Sequence, residues 1–138
     1  MKNVLVLCTG NSCRSQIAEG YLRHFAGKKA NIYSAGIETH GVNPKAIKTM
    51  EEDHINISMH TSNNVVEYLT IPFDFVITVC DHAKENCPYF PTQGERLHFN
   101  FPDPAKAMGT DEEIMAEFTR VRDMIKGYTA DFVKTKLN

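Results

Sequence analysis

The fold of this chain is decided by the stretch Val4-Leu5-Val6-Leu7-Cys8-Thr9-Gly10-Asn11-Ser12-Cys13-Arg14. Its four leading apolar residues predict a buried strand, and the residues from Ser15 onward predict a helix. A loop that leaves a strand and enters a helix gathers backbone N–H groups and the positive end of the helix dipole around one point. The spacing Cys-x5-Arg therefore predicts a loop that binds a tetrahedral oxyanion, formed by Thr9, Gly10, Asn11, Ser12, Cys13, Arg14 and Ser15.

The two ends of this loop carry reactive groups. Beside a helix N-terminus, the thiol of Cys8 is expected to lose its proton readily and to act as a nucleophile. The guanidinium of Arg14 offers a planar fork to the oxygens of an anion, and Ser15 can donate a hydrogen bond to the Cys8 thiolate or cap the helix. A cysteine after an apolar run is more often a small buried hydrophobic residue, but the joint pattern favours the catalytic interpretation.

Length and composition limit the classes of function. The 138 residues predict one domain over residues 1–138, and the net charge of -2 disfavours nucleic acid or an anionic membrane surface as a partner. No apolar stretch reaches membrane-spanning length, and the first strand begins too close to Met1 for a signal peptide. These features predict a cytoplasmic protein. In that compartment four cysteines indicate catalytic, redox or metal-binding roles rather than a static disulfide framework.

Beyond the loop, strands and helices alternate along the chain. Strands are predicted over residues 2–7, 31–35, 73–79 and 97–99, and helices from residue 15, over 44–52, over 62–69 and from 110 onward. Pro44 suits a first helical turn, and Ser62 is expected to cap the short helix that follows it. This alternation predicts an α/β fold with a four-stranded parallel sheet and helices on both faces.

The last helix shows the clearest local signals. Thr110-Asp111-Glu112-Glu113 has the pattern of a capping box. Apolar residues then recur at alternating steps of four and three, which predicts a buried stripe formed by Ile114, Phe118, Val121, Ile125, Tyr128 and Phe132.

Three candidate functional residues follow predicted strands. In a parallel sheet the carboxyl ends of the strands meet at one edge, where ligands bind, so Cys8, Cys80 and Asp103 are expected to lie at that edge. Asp103 can serve as a general acid that protonates an oxygen leaving the bound oxyanion. The alternative is a loop aspartate that caps the turn at Pro104.

Two sequence blocks resemble a known family. Cys8 to Gln16 with Ala18-Glu19-Gly20, and Tyr33 to Pro44, are similar to the thioredoxin-coupled arsenate reductases built on the low-molecular-weight tyrosine phosphatase fold. The resemblance runs nearly end to end. Further matches are Thr78-Val79-Cys80, Cys87-Pro88, Asp103-Pro104-Ala105 and Phe118-Thr119-Arg120-Val121-Arg122-Asp123.

The nearest rival within the same fold is a low-molecular-weight protein tyrosine phosphatase. Those phosphatases typically have proline where this chain has Gln16, and tyrosine where it has Ala105, an aromatic residue that can flank a phosphotyrosine ring. This chain also carries Cys80 and Cys87, with six residues between them. Hydrolysis of a phosphoester needs one thiolate and a water, whereas reduction of arsenate needs further thiols. The resemblance therefore favours an arsenate reductase, with hydrolysis of phosphoesters as a side activity.

The resemblance implies a thiol relay. Cys8 attacks arsenate while Asp103 protonates the departing oxygen, Cys80 attacks Cys8 and releases arsenite, and Cys87 then forms a disulfide with Cys80. Such a relay requires movement of the segment from Asp81 to Asn86. Thioredoxin is the implied reductant, with glutaredoxin as an alternative. No resident cofactor is implied, and the enzyme is expected to be a monomer.

Other roles for these residues stay open. Cys80 and Cys87 can be a zinc site, with His82 recruited, although their spacing does not match a short zinc hairpin. The whole chain can also be a non-catalytic sensor of oxyanions or redox state. Some family members bind potassium through oxygens that match Asn11, Glu19 and Ser34 with an aspartate; here Asn63 stands at the aspartate's position, which removes a charge and puts the potassium site in doubt. His40 and His60 receive no catalytic role from the sequence.

Overall fold

The computed structural model describes residues 1–81 and 89–137. Its sheet is made of β1 (Lys2–Leu7), β2 (Ala30–Ala35), β3 (Phe75–Thr78) and β4 (Glu95–His98), in the order β2-β1-β3-β4, with every neighbouring pair parallel. Leu7 lies beside Ala35 in β2 and Thr78 in β3, so the carboxyl ends of the strands are level. The predicted four-stranded parallel sheet is confirmed, and its site-bearing edge lies just beyond Leu7.

The sheet buries both of its faces. Val4 and Val6 of the central strand point into one apolar cluster, and Leu5 and Leu7 point into another. This split follows from the alternation of side chains along a strand. A strand covered on both sides carries an almost continuous apolar run, which is why the residues before Cys8 were recognisable from the sequence.

Three α-helices contribute to the larger cluster: α1 (Arg14–Ala26), α2 (Pro44–Glu51) and α3 (Asp111–Lys136). The opposite face is covered by a 3-10 helix, Val65–Tyr68, and by aromatic residues of the connecting segments. Tyr33, Phe73 and Phe90 form a chain of edge-to-face contacts there. No α-helix among the described residues is long and apolar enough to cross a membrane.

The predicted capping box at the start of α3 is confirmed. Thr110 Oγ1 accepts a hydrogen bond from the Glu113 N–H at 3.1 Å, and a Glu113 carboxylate oxygen accepts one from the Thr110 N–H at 3.1 Å. Of the predicted stripe, Phe118, Val121, Ile125 and Phe132 are buried, and Ile114 and Tyr128 pack partly buried against the same cluster.

A short helix is present in this region as predicted, but its predicted start and cap at Ser62 are wrong. The 3-10 helix begins at Val65, and its cap is Asn64, whose side chain accepts from the Val66 N–H at 3.0 Å. Ser62 instead donates its hydroxyl to the Gly10 carbonyl at 3.3 Å. Asn64 also forms a parallel bridge with Gly36, and this tertiary pairing extends the chain past Ser62 before the turn can start.

Candidate active site

The loop from Cys8 to Arg14 connects β1 to α1 and forms one side of a cleft. Cys8 and Arg14 are each about 3% exposed, and the thiols of Cys8 and Cys13 are both free. The cleft has a volume of about 410 Å³. It is lined by Cys8, Thr9, Gly10, Ser12, Cys13, Arg14, Glu38, His40, Asp103, Ala105 and Lys106.

The carbonyl groups of the loop are bound from outside by residues 37–43, which we call the rim segment. Its backbone N–H groups at Glu38, His40 and Asn43 donate to carbonyls of the loop at 3.1, 3.2 and 3.0 Å; the acceptors are Thr9, Gly10 and Ser12. In a trans peptide unit the C=O and the next N–H point in opposite directions. The N–H groups that follow these three carbonyls therefore point away from the rim segment, into the loop, where an anion can accept from them.

The rim segment approaches the loop closely because the chain enters it through a glycine. A Cβ atom at Gly36 would lie 2.5 Å from the Thr9 carbonyl oxygen and 2.8 Å from that of Cys8. Any larger residue would push β2 away from the loop.

Asn11 has a left-handed backbone conformation at the centre of the loop. Its φ is 46°, and the residue is fully buried. Asparagine tolerates this conformation better than most residues, as its position in the sequence suggested. Its side-chain oxygen accepts from the Ser15 hydroxyl at 2.8 Å and from Gln16 Nε2 at 3.1 Å, and Gln16 Nε2 also donates to the Asn11 carbonyl at 3.1 Å. The Ser15 hydroxyl proton is thus directed to Asn11, not to the Cys8 thiolate as one interpretation of the sequence had it.

Asp103 lies across the cleft from the loop. It caps a turn, as one interpretation of the sequence had it, and it also faces Arg14 of the loop. One carboxylate oxygen accepts from the Ala105 N–H at 3.0 Å and caps the 3-10 helix Pro104–Lys106. The other lies 3.7 Å from Arg14 Nη2, while Arg14 Nη1 donates to the Phe101 carbonyl at 3.2 Å. The Asp103 side chain is 21% exposed, so it can reach a bound anion and still exchange protons with water.

The two loop thiols differ in their surroundings. Burial, followed by the negative charge of Asp103, raises the pKa of Cys13 to about 12. Cys13 therefore stays protonated near neutral pH and is a poor nucleophile. Cys8, at the end of β1 and the start of the loop, is the thiol that the geometry leaves for attack on a bound anion.

Cys80 leaves the neighbouring strand at the same edge of the sheet. The Val79 N–H donates to the Leu7 carbonyl at 2.9 Å, so Cys8 and Cys80 are the next residues along two paired chains. Cys80 is buried and disulfide-bonded, and neither Cys8 nor Cys13 is its partner. The predictions for Cys87, for His82 and for movement of the segment up to Asn86 lie outside the described residues.

The residues named for potassium binding do meet in space. Asn11 Nδ2 donates to the carbonyls of Ser34 and Asn63 at 3.3 and 3.4 Å, so the side chain presents its nitrogen to the carbonyl oxygens that a cation would need. The Glu19 carboxylate accepts from the Ser34 hydroxyl at 2.5 Å and from Arg23 Nε at 2.8 Å. These groups satisfy one another, and a potassium ion would have to displace the amide, so the arrangement does not fit the ion as it stands.

Residues 1–81 and 89–137 contain no cluster of three or more His, Cys, Asp or Glu side chains that could hold a metal ion. The zinc interpretation also involves Cys87 and His82, which lie outside these ranges, so it stays untested.

Sequence reasoning missed several residues at the site. His40 and Glu38 line the cleft, and Lys106 lines it from the opposite side. His60 Nδ1 lies 3.0 Å from Gln16 Oε1 and so supports the residue that holds Asn11; burial lowers the pKa of His60, against the opposing effect of Glu19. The sequence offered a signal for Glu38 and His40, since both belong to a block that carries the family resemblance. Only the structure shows that both line the cleft and that His40 contacts Gly10.

Comparison with known proteins defines the class to which this fold and site belong. The family described as low molecular weight phosphotyrosine protein phosphatase matches residues 3–138, and the chain belongs to this family. Among curated relatives, a protein named arsenate reductase from Halalkalibacterium halodurans is 51% identical over 134 residues, covering 97% of this chain and 96% of that protein. An arsenate reductase from Bacillus subtilis is 46% identical over the same shares of the two chains.

Solved structures agree with this assignment. An arsenate reductase in a phosphate-binding state has a TM-score of 0.84 at 32% identity and covers the whole of both chains. An arsenate reductase in an oxidised state has a TM-score of 0.83 at 30% identity, covering 97% of this chain and 98% of that one. Vibrio vulnificus Wzb in complex with benzylphosphonate has a TM-score of 0.76 at 17% identity, covers 96% of this chain and 97% of that one, and shows the shared fold alone.

Proposed function

We propose that this chain is an arsenate reductase that converts arsenate to arsenite through a relay of three cysteines. The observation that carries the proposal is the cleft in which the free thiol of Cys8, the guanidinium of Arg14 and the carboxyl of Asp103 converge. Full-length relatives named arsenate reductase support it. A structural relative of the same name in a phosphate-binding state supports the choice of a tetrahedral oxyanion as ligand.

The first step takes place in the loop. The inward N–H groups and Arg14 bind arsenate, and the Cys8 sulfur attacks arsenic. Asp103 donates a proton to the arsenic–oxygen group that departs as water. Because the loop leads into the N-terminus of α1, the helix dipole favours the anionic adduct.

The second step transfers electrons. Cys80 attacks the Cys8 sulfur, the electron pair of the sulfur–arsenic bond stays on arsenic, and arsenite leaves behind a Cys8–Cys80 disulfide. Cys87 then attacks Cys80, which frees Cys8 and leaves a Cys80–Cys87 disulfide. The emergence of Cys8 and Cys80 from paired strands supports this order. So does the combination of a free Cys8 with a disulfide-bonded Cys80, which is the pattern expected after turnover and before reduction.

The remaining parts of the proposal concern the surroundings of the enzyme. A cytoplasmic thiol reductant regenerates Cys80 and Cys87; thioredoxin is the partner we propose, and glutaredoxin is the alternative. The enzyme acts as a monomer with no resident cofactor, since both electrons per turnover come from its own thiols.

A phosphatase is the second candidate, because the family is named for that activity. The exposed Ala105 lines the cleft beside Asp103, and none of the described residues that line the cleft is a Phe, Tyr or Trp that could flank a phosphotyrosine ring. We therefore expect hydrolysis of small aryl phosphates only as a side activity. A non-catalytic sensor is less well supported, since it has no use for a carboxyl group such as Asp103 facing the anion loop.

The test follows arsenite formation with thioredoxin, its reductase and NADPH. We expect Cys8→Ser, Cys80→Ser and Cys87→Ser each to lose turnover by at least about a hundredfold, since each removes a sulfur that must form a bond. Cys80→Ser and Cys87→Ser should retain aryl phosphate hydrolysis, which serves as the control for an intact loop. Full turnover in Cys87→Ser with thioredoxin would contradict the relay. Aryl phosphate hydrolysis with no arsenate turnover in the parent would favour the phosphatase.

A further inference from the structure

Glu38 and His40 form a paired acid and base at the mouth of the cleft. His40 Nε2 lies 2.9 Å from a carboxylate oxygen of Glu38. The imidazole packs directly over Gly10 of the anion loop: a Cβ atom added at Gly10 would lie 2.6 Å from His40 Cδ2. The His40 N–H also donates to the Gly10 carbonyl at 3.2 Å, so the backbone and the ring are both held against the loop.

When arsenite leaves as the neutral acid, the proposed reaction consumes a second proton. Arsenate, as the singly protonated dianion, combines with the Cys8 thiol and one added proton to give a singly charged thiol–arsenate adduct and water. That adduct combines with the Cys80 thiol and one more added proton to give the Cys8–Cys80 disulfide and neutral arsenous acid. Release of arsenite as the neutral acid therefore consumes one proton in each step, and Asp103 accounts for the first.

The other titratable groups of the cleft are poorly suited to the second transfer. Asp103 has just given up its proton. The high pKa of Cys13, about 12, makes its thiol a weak acid, and an arginine such as Arg14 does not lose its proton in proteins. A lysine ammonium is a weaker acid than an imidazolium, so Lys106 is better suited to stabilising negative charge than to transferring a proton.

We propose that His40, oriented by Glu38, is the acid that protonates an arsenic oxygen as arsenite departs. This inference rests on the proposed function. The His40 side chain is 58% exposed and that of Glu38 60%, so the imidazole can regain its proton from solvent after each turnover. The other titratable and charged groups that line the cleft with His40 are Cys8, Cys13, Arg14, Asp103 and Lys106, and its own segment contributes Glu38.

The test is a single turnover without reductase, in which fully reduced protein is mixed with arsenate and arsenite release is followed from about pH 5 to pH 8, where histidines change charge. In His40→Asn we expect release at least about tenfold slower at the acid end, with a difference that shrinks as the pH rises. Glu38→Gln should lie between the parent and His40→Asn. Added imidazole should restore much of the rate in His40→Ala, and that rescue separates proton donation from a purely structural role.

Two controls make the result specific. Aryl phosphate hydrolysis by His40→Asn, measured alongside, shows whether the anion loop still forms. His54→Asn replaces another exposed histidine, whose φ of 63° suits asparagine, and should behave as the parent. Equal arsenite release by the parent and His40→Asn at every pH, or no rescue by imidazole, would overturn the role of His40 while the reductase proposal stands. No arsenite from the parent would overturn both.

Discussion

At the scale of single residues, Asn11 has a strained backbone conformation and also holds the shape of the anion-binding loop through its hydrogen bonds. A φ of 46° is unfavourable for most residues with a side chain, and here buried hydrogen bonds from Ser15 and Gln16 hold the residue in place. The presence of an asparagine in the loop was readable from the sequence. Its partners were not, because Gln16 Nε2 also donates to the Thr61 carbonyl at 2.9 Å, a contact that spans 45 positions of the chain.

Replacement of Asn11 tests this joint role. We expect Asn11→Ala to lose about 3 kcal/mol of unfolding free energy, because it combines left-handed strain with buried polar groups that lose their partners. Urea unfolding measures the loss. His54→Ala is the matched control, since His54 also has a positive φ of 63° but is exposed; it should lose about 1 kcal/mol. Equal losses in the two variants would show that the amide network around Asn11 adds nothing.

At the scale of elements, local sequence signals succeed where hydrogen bonds are local. The boundaries of β1 and the start of α3 follow from runs of apolar residues and from a capping box contained within four residues. The turn at Val65–Tyr68 was misplaced because its start depends on the bridge between Asn64 and Gly36, which are distant in sequence. An element whose end is decided by a distant partner cannot be located from its own residues.

The capping box gives a prediction at this scale. Thr110→Ala should lower the unfolding free energy by about 1 kcal/mol, because the Glu113 N–H loses its acceptor. In a chain of this size, that corresponds to a melting temperature about 4 °C lower in a thermal scan. Thr135→Ala, near the other end of α3, is the control: its exposed hydroxyl bonds only to carbonyls of its own helix, and its effect should stay within about 0.5 kcal/mol. An unchanged melting temperature in Thr110→Ala would count against the cap.

At the scale of the whole molecule, the site is assembled from segments that the fold brings together. The loop, the rim segment and Asp103 come from three parts of the chain and line one cleft. The residues considered for potassium binding also come from distant parts of the chain. Asn11, Ser34 and Asn63 are in contact although more than 50 positions separate the first from the last. In this chain the oxygens that an ion would use already accept hydrogen bonds. The Asn63 carbonyl accepts from the Asn11 amide, and the Glu19 carboxylate accepts from Arg23.

Potassium binding can be tested by thermal stability. We expect about 0.1 M KCl and NaCl to change the melting temperature of the parent equally, since ionic strength then acts alike in both. Asn63→Asp places a carboxylate beside these oxygens. Potassium should then raise the melting temperature of this variant more than sodium does, because the ion binds the folded state. If potassium raised the melting temperature of the parent more than sodium did, the ion would have displaced the Asn11 amide.

The sequence by itself determined the strand, the loop and the helix around Cys8, because these depend on residues close together in the chain. The alternation of strands and helices also predicted the parallel sheet, and the Cys-x5-Arg spacing predicts an oxyanion as the ligand of the loop. The resemblance to a family added the relay and the choice of arsenate. Only the tertiary structure decided that the rim segment turns the loop carbonyls outward, that Asn64 rather than Ser62 caps the turn, and that His40 lies over Gly10. These features depend on contacts between distant segments, whose partners no local pattern specifies.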